Sequence, residues 1–511
     1  MKPWNINDLK LKHYPHFDAK LSAKKIAALI ENPKRVASHP FHPFLFFEEK
    51  YQPFRPSGKP IKTRPIRYAC RADSYIYSRY RHKLATKYEK LLKRKGLSES
   101  ILAYRHIPVR VGSDKGKSNI NFAKEVFEKI RELGDCIVVT ADISSYFDSI
   151  DHNNLKAMWG RLIGKEFLPP DHFAVFKSLT AYTDVDYKEL CRELNFFGKK
   201  KTIWGDRDGY LISRNDLPTQ LCSNSKFREI IKSRKAAGSP ILNPNTNTFG
   251  IPQGAPMSDI LANSYLLDFD SLVLEYVKKR DGFYYRYSDD LLIIIPGTKK
   301  KVARKTEEFL IAEIEKTGSE ICIQPKKCAN FIYKKTENGQ AFKPLSKKLL
   351  LKKNGKPKRF KHGAKKGKKR KTFKMRNGLE YLGFRYDGQK VYLRDKTVSN
   401  FYRKLKRNAW AEAYKTVSRY KDKNAQYLIR NYNYEDFLKR FGKVENFAGL
   451  QTADNNFKTW TFFTYVKRAS KVFGELGSPI RPQIRNFEEK ARQDIKSKII
   501  RVHKMRNKKE S

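Results

Sequence analysis

Three aspartates stand where hydrophobic segments end, in positions suited to metal-assisted chemistry. Asp142 follows an apolar run that begins at Cys136, and Asp289 and Asp290 occupy the polar turn between two β-rich runs. Carboxylates flanked by hydrophobic strands are costly unless a cation joins them. A strand end and an adjacent hairpin turn can share two Mg²⁺ ions about 3.5–4 Å apart, which stabilises the attacking and leaving oxygens in phosphoryl transfer. The alternative is that these aspartates merely flank turns.

A glycine-containing loop lies between the acidic segments. Its sequence is Gly250-Ile-Pro-Gln-Gly-Ala-Pro-Met-Ser258, and an apolar-periodic helix is predicted to follow it over Ile260–Val277. The glycines would let a base pair or nucleotide approach the backbone closely, and Gln253 would supply an amide contact. Each motif alone is common, but the order of aspartate strand, Pro-Gln-Gly loop and Tyr-x-Asp-Asp hairpin is specific.

The hydrophobic pattern predicts the elements that must position these residues. Helical spacing over Asn119–Leu133 is followed by a short buried strand, Cys136–Ala141, and Phe283–Ile295 is predicted to be a strand-turn-strand hairpin. From about Ser399 the pattern is helical, with apolar residues on one face and Lys and Arg on the other. We therefore expect an α+β fold with a helical C-terminal domain.

The charge of the chain indicates a polyanionic partner. Its 511 residues include 108 Lys and Arg against 53 Asp and Glu, a net charge of +55, which excludes most ordinary metabolic enzymes. A hydrophobic share of 40% is too high for a disordered basic tail. An RNA-binding protein without catalytic activity remains an alternative at this point.

The spacing of the cysteines and the hydropathy of the chain give expectations about metal binding and about the cellular location of the protein. The six cysteines include no Cys-x-x-Cys pair, so neither a zinc knuckle nor a disulfide framework is indicated. No segment approaches the ~18 apolar residues of a membrane span, and no apolar leader is evident near Met1. We expect a cytoplasmic protein without a membrane partner.

Taken together, the motifs resemble those of reverse transcriptases. Ala141–Ile150 is similar to the first catalytic motif, Gly250–Ser258 to the Pro-Gln-Gly motif, and Tyr287–Asp290 to the catalytic hairpin. The resemblance spans roughly residues 55 to 395. It implies a right-hand polymerase with fingers and a ferredoxin-like palm, followed by an α-helical C-terminal domain that replaces or extends a thumb.

The resemblance also implies catalytic roles. Asp142, Asp289 and Asp290 would be the catalytic residues and, with Ile143, would hold two Mg²⁺ ions, for which Mn²⁺ could substitute. A primer 3′-hydroxyl would then attack the α-phosphate of a deoxynucleoside triphosphate. Phe147, five positions after the first aspartate, corresponds to the aromatic residue that excludes a ribose 2′-hydroxyl in this family, so deoxynucleotides would be favoured.

Further residues are implied to bind the nucleotide, the primer and the template. The segment Gln324–Cys328 resembles the family's lysine motif, Tyr381–Phe384 resembles the primer grip, and Lys343–Arg376 is a basic insert with 17 Lys and Arg and no acidic residue. The nucleotide-binding candidates are Lys62, Arg64, Arg67, Phe147, Gln253, Gly254 and Lys327. The candidates for primer and template binding are Tyr287, Leu382, Gly383, Lys365, Lys366, Lys369 and Arg370.

Four regions and a biological setting follow from the same comparison. The predicted regions are an N-terminal extension with fingers (1–120), a palm with part of the fingers (121–340), the basic insert with the primer-grip-like segment (341–395) and a helical domain (396–511). Further segments outside the catalytic motifs, among them Arg71–Ser78 and Thr459–Ala469, resemble segments of bacterial abortive-infection and defence-associated reverse transcriptases.

The expected partners are RNA, as template or companion noncoding RNA, together with DNA product and deoxynucleotides. Untemplated or protein-primed synthesis and a homo-oligomer are compatible with the sequence. Group II intron-type and retron-type reverse transcriptases remain alternatives of the same class.

Overall fold

The structure is a computed structural model of the 511-residue chain. It describes residues 4–5, 14–51, 62–201, 205–325, 327–337, 339–345, 378–441 and 461–510. The basic insert contains four residues predicted to bind primer or template, and all four lie outside the described residues: Lys365, Lys366, Lys369 and Arg370.

Within these ranges the chain alternates helices and strands. The helices are α1 (Ala23–Ile30), α2 (Pro33–Ala37), α3 (Arg71–Arg94), α4 (Asn119–Leu133), α5 (His152–Ile163), α6 (Pro170–Thr180), α7 (Tyr187–Glu193), α8 (Asn224–Ala236), α9 (Ser258–Tyr265), α10 (Leu267–Lys278), α11 (Lys300–Glu315), α12 (Asp395–Arg419), α13 (Ala425–Arg430), α14 (Tyr434–Arg440), α15 (Phe462–Phe473) and α16 (Phe487–Glu510). The strands are β1 (Phe44–Tyr51), β2 (Lys62–Tyr68), β3 (Cys136–Asp142), β4 (Thr183–Asp186), β5 (Phe197–Lys200), β6 (Arg207–Tyr210), β7 (Leu242–Pro244), β8 (Phe283–Tyr287), β9 (Asp290–Pro296), β10 (Ala329–Thr336), β11 (Gly339–Leu345), β12 (Leu379–Tyr381), β13 (Phe384–Tyr386) and β14 (Val391–Leu393).

The chain divides into two compact units. The first comprises residues 1–107 and 137–329, and the second comprises residues 108–136 and 330–511. Both units combine helices with strands, which confirms the mixed α and β content expected from the sequence. The four functional regions stay a prediction. Among the described residues, no helix is long and apolar enough to cross a membrane.

Two sheets organise the first unit. One has the described strand order β2-β1-β4-β7, and in the other β3, β9 and β8 are neighbours in that order. Residues 137–139 of β3 and 291–295 of β9 are buried, as expected for near-continuous apolar strands inside a core. Strand β8 alternates instead, with Tyr284 and Arg286 buried between half-buried neighbours.

The helix predicted over Ile260–Val277 is in fact two helices. Helix α9 ends at Tyr265 and α10 begins at Leu267, although the Asp270 amide still donates to the Leu266 carbonyl (2.7 Å). Hydrophobic periodicity does not reveal this break, because apolar residues on both sides of it are buried.

The second unit contains α4, the β10–β11 hairpin, the three-stranded sheet β12-β13-β14 and the C-terminal helices. Phe127 on α4 stacks on Tyr386 of β13, with ring centroids 5.2 Å apart. Helix α12 buries a residue at every fourth position and packs on α16, and these residues are Phe401, Leu405, Ala409, Ala413 and Val417. In residues 395–441 and 461–510 the α-helices agree with the helical pattern predicted from the sequence.

Candidate active site

The acidic residues meet at one end of the β3-β9-β8 sheet. Asp142 is the last residue of β3, and Asp289 lies in the tight turn between β8 and β9, where Tyr287 pairs with Asp290. The Ile143 amide donates a hydrogen bond to the Asp289 carbonyl (3.0 Å). This bond joins the end of β3 directly to the hairpin turn, so the structure brings the predicted first and second acidic segments together.

The hairpin turn requires an unusual backbone at Ser288. This residue has φ of 60°, in the left-handed region that non-glycine residues rarely adopt. Its side chain is buried, and the Tyr104 hydroxyl donates to its Oγ (3.2 Å). Strain of this kind persists only when the surroundings hold it in place, and it is common at functional sites.

The electrostatics of the turn are those of a crowded acidic site. Burial raises the pKa of Asp289, and the negative charge of Asp142 raises it further, while hydrogen bonds from its own amide and the Ser288 side chain and the charge of Arg64 oppose the rise. Asp142 keeps 35% of its side chain exposed, and Asp290 is exposed. Like-charged carboxylates that share a site are stabilised by a bound cation.

The donor set fits a hard divalent cation. Asp142 and Asp289 are close enough for their charges to interact, and Asp290 is the next residue of the turn. Carboxylate oxygens are the ligands that Mg²⁺ prefers, usually one or two carboxylates with substrate phosphates and waters completing the shell. The chemistry of the residues therefore agrees with the predicted Mg²⁺ or Mn²⁺ site.

Lys327 lies beside the first aspartate. Its Nζ is 2.5 Å from Asp142 Oδ1, in an ion pair whose side chains are 38% and 35% exposed. The segment before it contacts the end of β3, since the Ser144 amide donates to the Cys322 carbonyl (3.0 Å) and Ile143 pairs with Ile323. The sequence placed this lysine near a triphosphate, and the structure places it next to the carboxylate that would bind the metal.

The Pro-Gln-Gly loop packs against the turn that carries Phe147. The Ile251 amide donates to the Phe147 carbonyl (2.8 Å), and the Arg67 amide of β2 donates to the Gln253 carbonyl (2.8 Å). Gly254 has φ of +112°, and a Cβ there would lie 2.6 Å from the Arg67 carbonyl oxygen. Glycine is therefore required at 254 for the loop to approach β2 this closely.

Arg64 and Arg67, two of the predicted nucleotide-binding residues, both lie on β2 but have different surroundings. The Arg67 Nε donates to Asp184 Oδ2 (2.7 Å), and its guanidinium lies over the ring of Tyr182, 5.0 Å from the centroid. Its exposed fraction is only 15%, so this arginine is already paired within the first unit. The charge of Arg64 acts on Asp289, so Arg64 is better placed than Arg67 to bind a nucleotide beside the acidic residues. The backbone of Lys62 begins β2.

Phe147 and Tyr287 are both half-buried, and both lie within five residues of an acidic candidate in the sequence. Phe147 lies in a short 3₁₀ turn, Tyr146–Ser149, with its ring 6.0 Å from that of Tyr146. Burial raises the pKa of Tyr287, and Tyr104 and Asp290 add to the rise.

The primer-grip-like residues belong to the second unit. Leu382 (φ 45°) and Gly383 (φ 94°) form the turn between β12 and β13. Asn119 donates to the Leu382 carbonyl (3.0 Å) and to the Tyr465 hydroxyl (3.1 Å), so this turn is held to α4 and α15.

Sequence reasoning missed a buried ion pair that involves the β8–β9 hairpin. Arg286 of β8 binds Asp270 of α10 through Nε–Oδ1 (2.8 Å) and Nη2–Oδ2 (2.6 Å), and neither side chain is exposed. Arg286 also donates to the Ser288 carbonyl (3.2 Å), and the Tyr284 hydroxyl donates to Asp270 (2.7 Å). The signal was present, because Asp270 interrupts the buried apolar face of its helix and a charge there needs a partner.

Comparisons with known proteins give structural neighbours at low similarity. No family model matches the chain, and no curated protein matches it in sequence. The apo telomerase of Candida tropicalis is 12% identical with a TM-score of 0.36, over 90% of this chain and 62% of that one. The telomerase of Candida albicans in complex with a fragment of telomeric RNA is 11% identical with a TM-score of 0.35, over 93% and 65% of the two chains.

The chain thus spans less than two thirds of the length of these neighbours. At such scores the likeness assigns neither a fold nor an activity to this protein.

Proposed function

We propose that the protein is an RNA-directed DNA polymerase, a nucleotidyltransferase that adds deoxynucleotides to a 3′-hydroxyl. The observation that supports it most is the meeting of Asp142 with the Asp289–Asp290 turn, joined by the bond from the Ile143 amide to the Asp289 carbonyl. Arranged on strands β3, β8 and β9, these acids would form the palm of a right-hand polymerase, with β1 and β2 in its fingers.

Asp142, Asp289 and Asp290, with the Ile143 backbone, are the residues that would hold two Mg²⁺ ions. When bound, these ions neutralise charge on the transferring phosphate and lower the pKa of the attacking hydroxyl. The raised pKa of Asp289 is consistent with this role, since a cation at this position would relieve the repulsion from Asp142.

The remaining residues would position the nucleotide. Arg64 and Lys327 would bind the negative charge of the triphosphate, and Lys327 would exchange its partner Asp142 for phosphate oxygens when substrate arrives. Phe147 would contact the sugar and exclude a 2′-hydroxyl. Gln253 and Gly254 would present the loop backbone to the base pair. Most of the catalysis would come from orientation and charge stabilisation.

The partners in this proposal are RNA, DNA product and deoxynucleotides. The net charge of +55 supports binding to the phosphate backbone, because neutralising phosphates releases counterions. We assign the activity to bacterial antiphage defence in the cytoplasm, with a companion noncoding RNA or untemplated synthesis as its mode. This assignment rests on the sequence segments that resemble abortive-infection reverse transcriptases.

Nucleic acid that copurifies with the protein tests the proposal whatever the template is. We expect sequencing after RNase and DNase treatment to reveal DNA with the wild type and none with Asp289→Asn/Asp290→Asn. The same RNA in both samples and no DNA in either would favour an RNA-binding protein without catalysis. The defence role is tested by the plating efficiency of phage on cells that carry the wild-type gene or the gene for Asp289→Asn/Asp290→Asn. Equal plating efficiency on the two strains would contradict this role.

A further inference from the structure

A second group of ligand-type side chains lies in the first unit, at the base of the β1–β2 hairpin. His42 precedes β1, and Cys70 follows β2 immediately before α3, whose first turn contains Asp73. The register of the hairpin pairs Leu45 with Tyr68, so the two chain segments that carry His42 and Cys70 run side by side. This group is separate in sequence from the acidic residues of the candidate active site.

The ligand atoms converge. One ligand atom from each of His42, Cys70 and Asp73 lies within 4.8 Å of the other two, and the Cys70 Sγ is 3.6 Å from the His42 Nδ1. Cys70 is fully buried and Asp73 is 1% exposed, while His42 is half-buried. A thiol, an imidazole and a carboxylate thus share one small volume that solvent reaches mainly beside the histidine.

A fourth residue completes the environment. His39 Nε2 lies 2.7 Å from Asp73 Oδ1, and the His42 amide donates to Asp73 Oδ2 (2.9 Å). The four residues form two pairs with the same spacing, His39-Pro-Phe-His42 and Cys70-Arg-Ala-Asp73. Two intervening residues are common between zinc-binding cysteines. A search for Cys-x-x-Cys misses these pairs because only one of the four residues is a cysteine.

We propose that His42, Cys70 and Asp73 bind one Zn²⁺ ion, with His39 orienting Asp73 or entering as the fourth ligand. Sulfur, nitrogen and oxygen donors together suit Zn²⁺, whereas Mg²⁺ and Ca²⁺ prefer oxygen alone. On binding, the thiol S–H bond breaks, a sulfur–zinc bond forms and the proton leaves to solvent. Carboxylates that bind a metal are themselves hydrogen-bonded at such sites, and His39 would supply such a bond to Asp73.

The site would have a structural role. It would link the start of β1 to the end of β2 and to the first turn of α3, and so fix the base of the hairpin that carries Arg64. Without a metal, the same atoms form a hydrogen-bonded network, which is the competing explanation. The proposal is independent of the polymerase assignment, because it concerns only metal content and the stability of the first unit.

Metal analysis of the full chain, purified without chelators, tests this inference. We expect about one zinc ion per chain in the wild type, nearly complete loss in Cys70→Ser, and full retention in Cys191→Ser. Cys191 is an equally buried cysteine of the same unit and is a matched control. Equal loss in both variants, or a wild type without zinc that takes none up from solution, would overturn the proposal.

Cobalt substitution of the wild type decides the case even if Cys70→Ser fails to fold. Co²⁺ bound to a thiolate gives a charge-transfer band in the near ultraviolet, and bound tetrahedrally it gives strong visible absorption. We expect both features in the chelator-treated and refilled wild type, together with a melting temperature that falls on chelation and recovers with Zn²⁺. A cobalt spectrum without the thiolate band would show that Cys70 is not a ligand.

Discussion

Replacing Arg286 by methionine should destabilise the first unit more than any comparable change of a surface arginine. The Arg286 guanidinium donates hydrogen bonds to the Asp270 carboxylate, to the side-chain oxygen of Asn263, and to the backbone carbonyls of Asn263 and Ser288. All of these acceptors are buried. Methionine fills a similar volume but donates no hydrogen bond. Asp270 would keep the Tyr284 hydroxyl as a donor and lose both contacts with the guanidinium.

The magnitude follows from the burial of the pair. Both side chains are 0% exposed, so the remaining carboxylate would be left in a region of low polarity. Removing one partner of a buried ion pair costs about 3–5 kcal/mol. The unfolding entropy grows with chain length, so for a unit made of residues 1–107 and 137–329 a loss of 1 kcal/mol lowers the melting temperature by roughly 1.6 °C. The expected loss is therefore about 5–8 °C.

Differential scanning calorimetry of the full chain measures this effect, with two controls. Arg161→Met removes an ion pair of similar length, 2.7 Å from Asp268, whose side chains are 58% and 55% exposed, and such pairs contribute only about 0–1 kcal/mol. The double variant Arg286→Met/Asp270→Asn removes the charge imbalance and should recover part of the loss. If Arg286→Met behaved like Arg161→Met, or if the double variant recovered nothing, the reasoning would be refuted.

Three further outcomes are expected. Phe147→Ala should increase the use of ribonucleotides relative to deoxynucleotides by about tenfold or more, or about 1.4 kcal/mol, in single-nucleotide incorporation assays, and unchanged discrimination would show that Phe147 is not the steric gate. Burial raises the pKa of Asp289, so its ionisation lowers the stability of the folded protein as pH rises through that pKa. Asp289→Asn should therefore raise the melting temperature of the metal-free protein at neutral pH, although it abolishes synthesis. A lower melting temperature for this variant would contradict the argument. Gly254→Ala should cost about 1–3 kcal/mol, because the added Cβ meets the Arg67 carbonyl, whereas Gly209→Ala, where nothing lies within 4 Å, should be nearly neutral in the same unfolding assay.

Local patterns predicted the elements that carry the candidate site. Helix α4 begins and ends at the predicted residues, and the hairpin around Asp289 differs from its predicted bounds by a residue, because alternation and apolar runs are local signals. The junction of Asp142 with this hairpin joins residues far apart in sequence, and it was anticipated from the order of the motifs and the family resemblance rather than from periodicity.

The features that sequence reasoning missed depend on which residues face each other. Asp270 and Arg286 are ordinary charged residues until the fold buries them together. The group of His42, Cys70 and Asp73 likewise forms only once β1 and β2 pair. The break after Tyr265 was invisible because apolar residues continue across it. For the ion pair and for the ligand-type group, the missing information is a tertiary contact, which local sequence patterns do not contain.

Incorporation of labelled deoxynucleotides by the purified protein tests the central claim most directly. The reaction contains Mg²⁺ and either primed RNA, primed DNA or only the nucleic acid that copurifies with the protein, and Asp281→Asn, an exposed position in the turn before β8, is the matched control. The account predicts synthesis by the wild type and by Asp281→Asn and none by Asp289→Asn/Asp290→Asn. Equal incorporation by all three proteins would contradict it, as would a wild type that is inactive with every template.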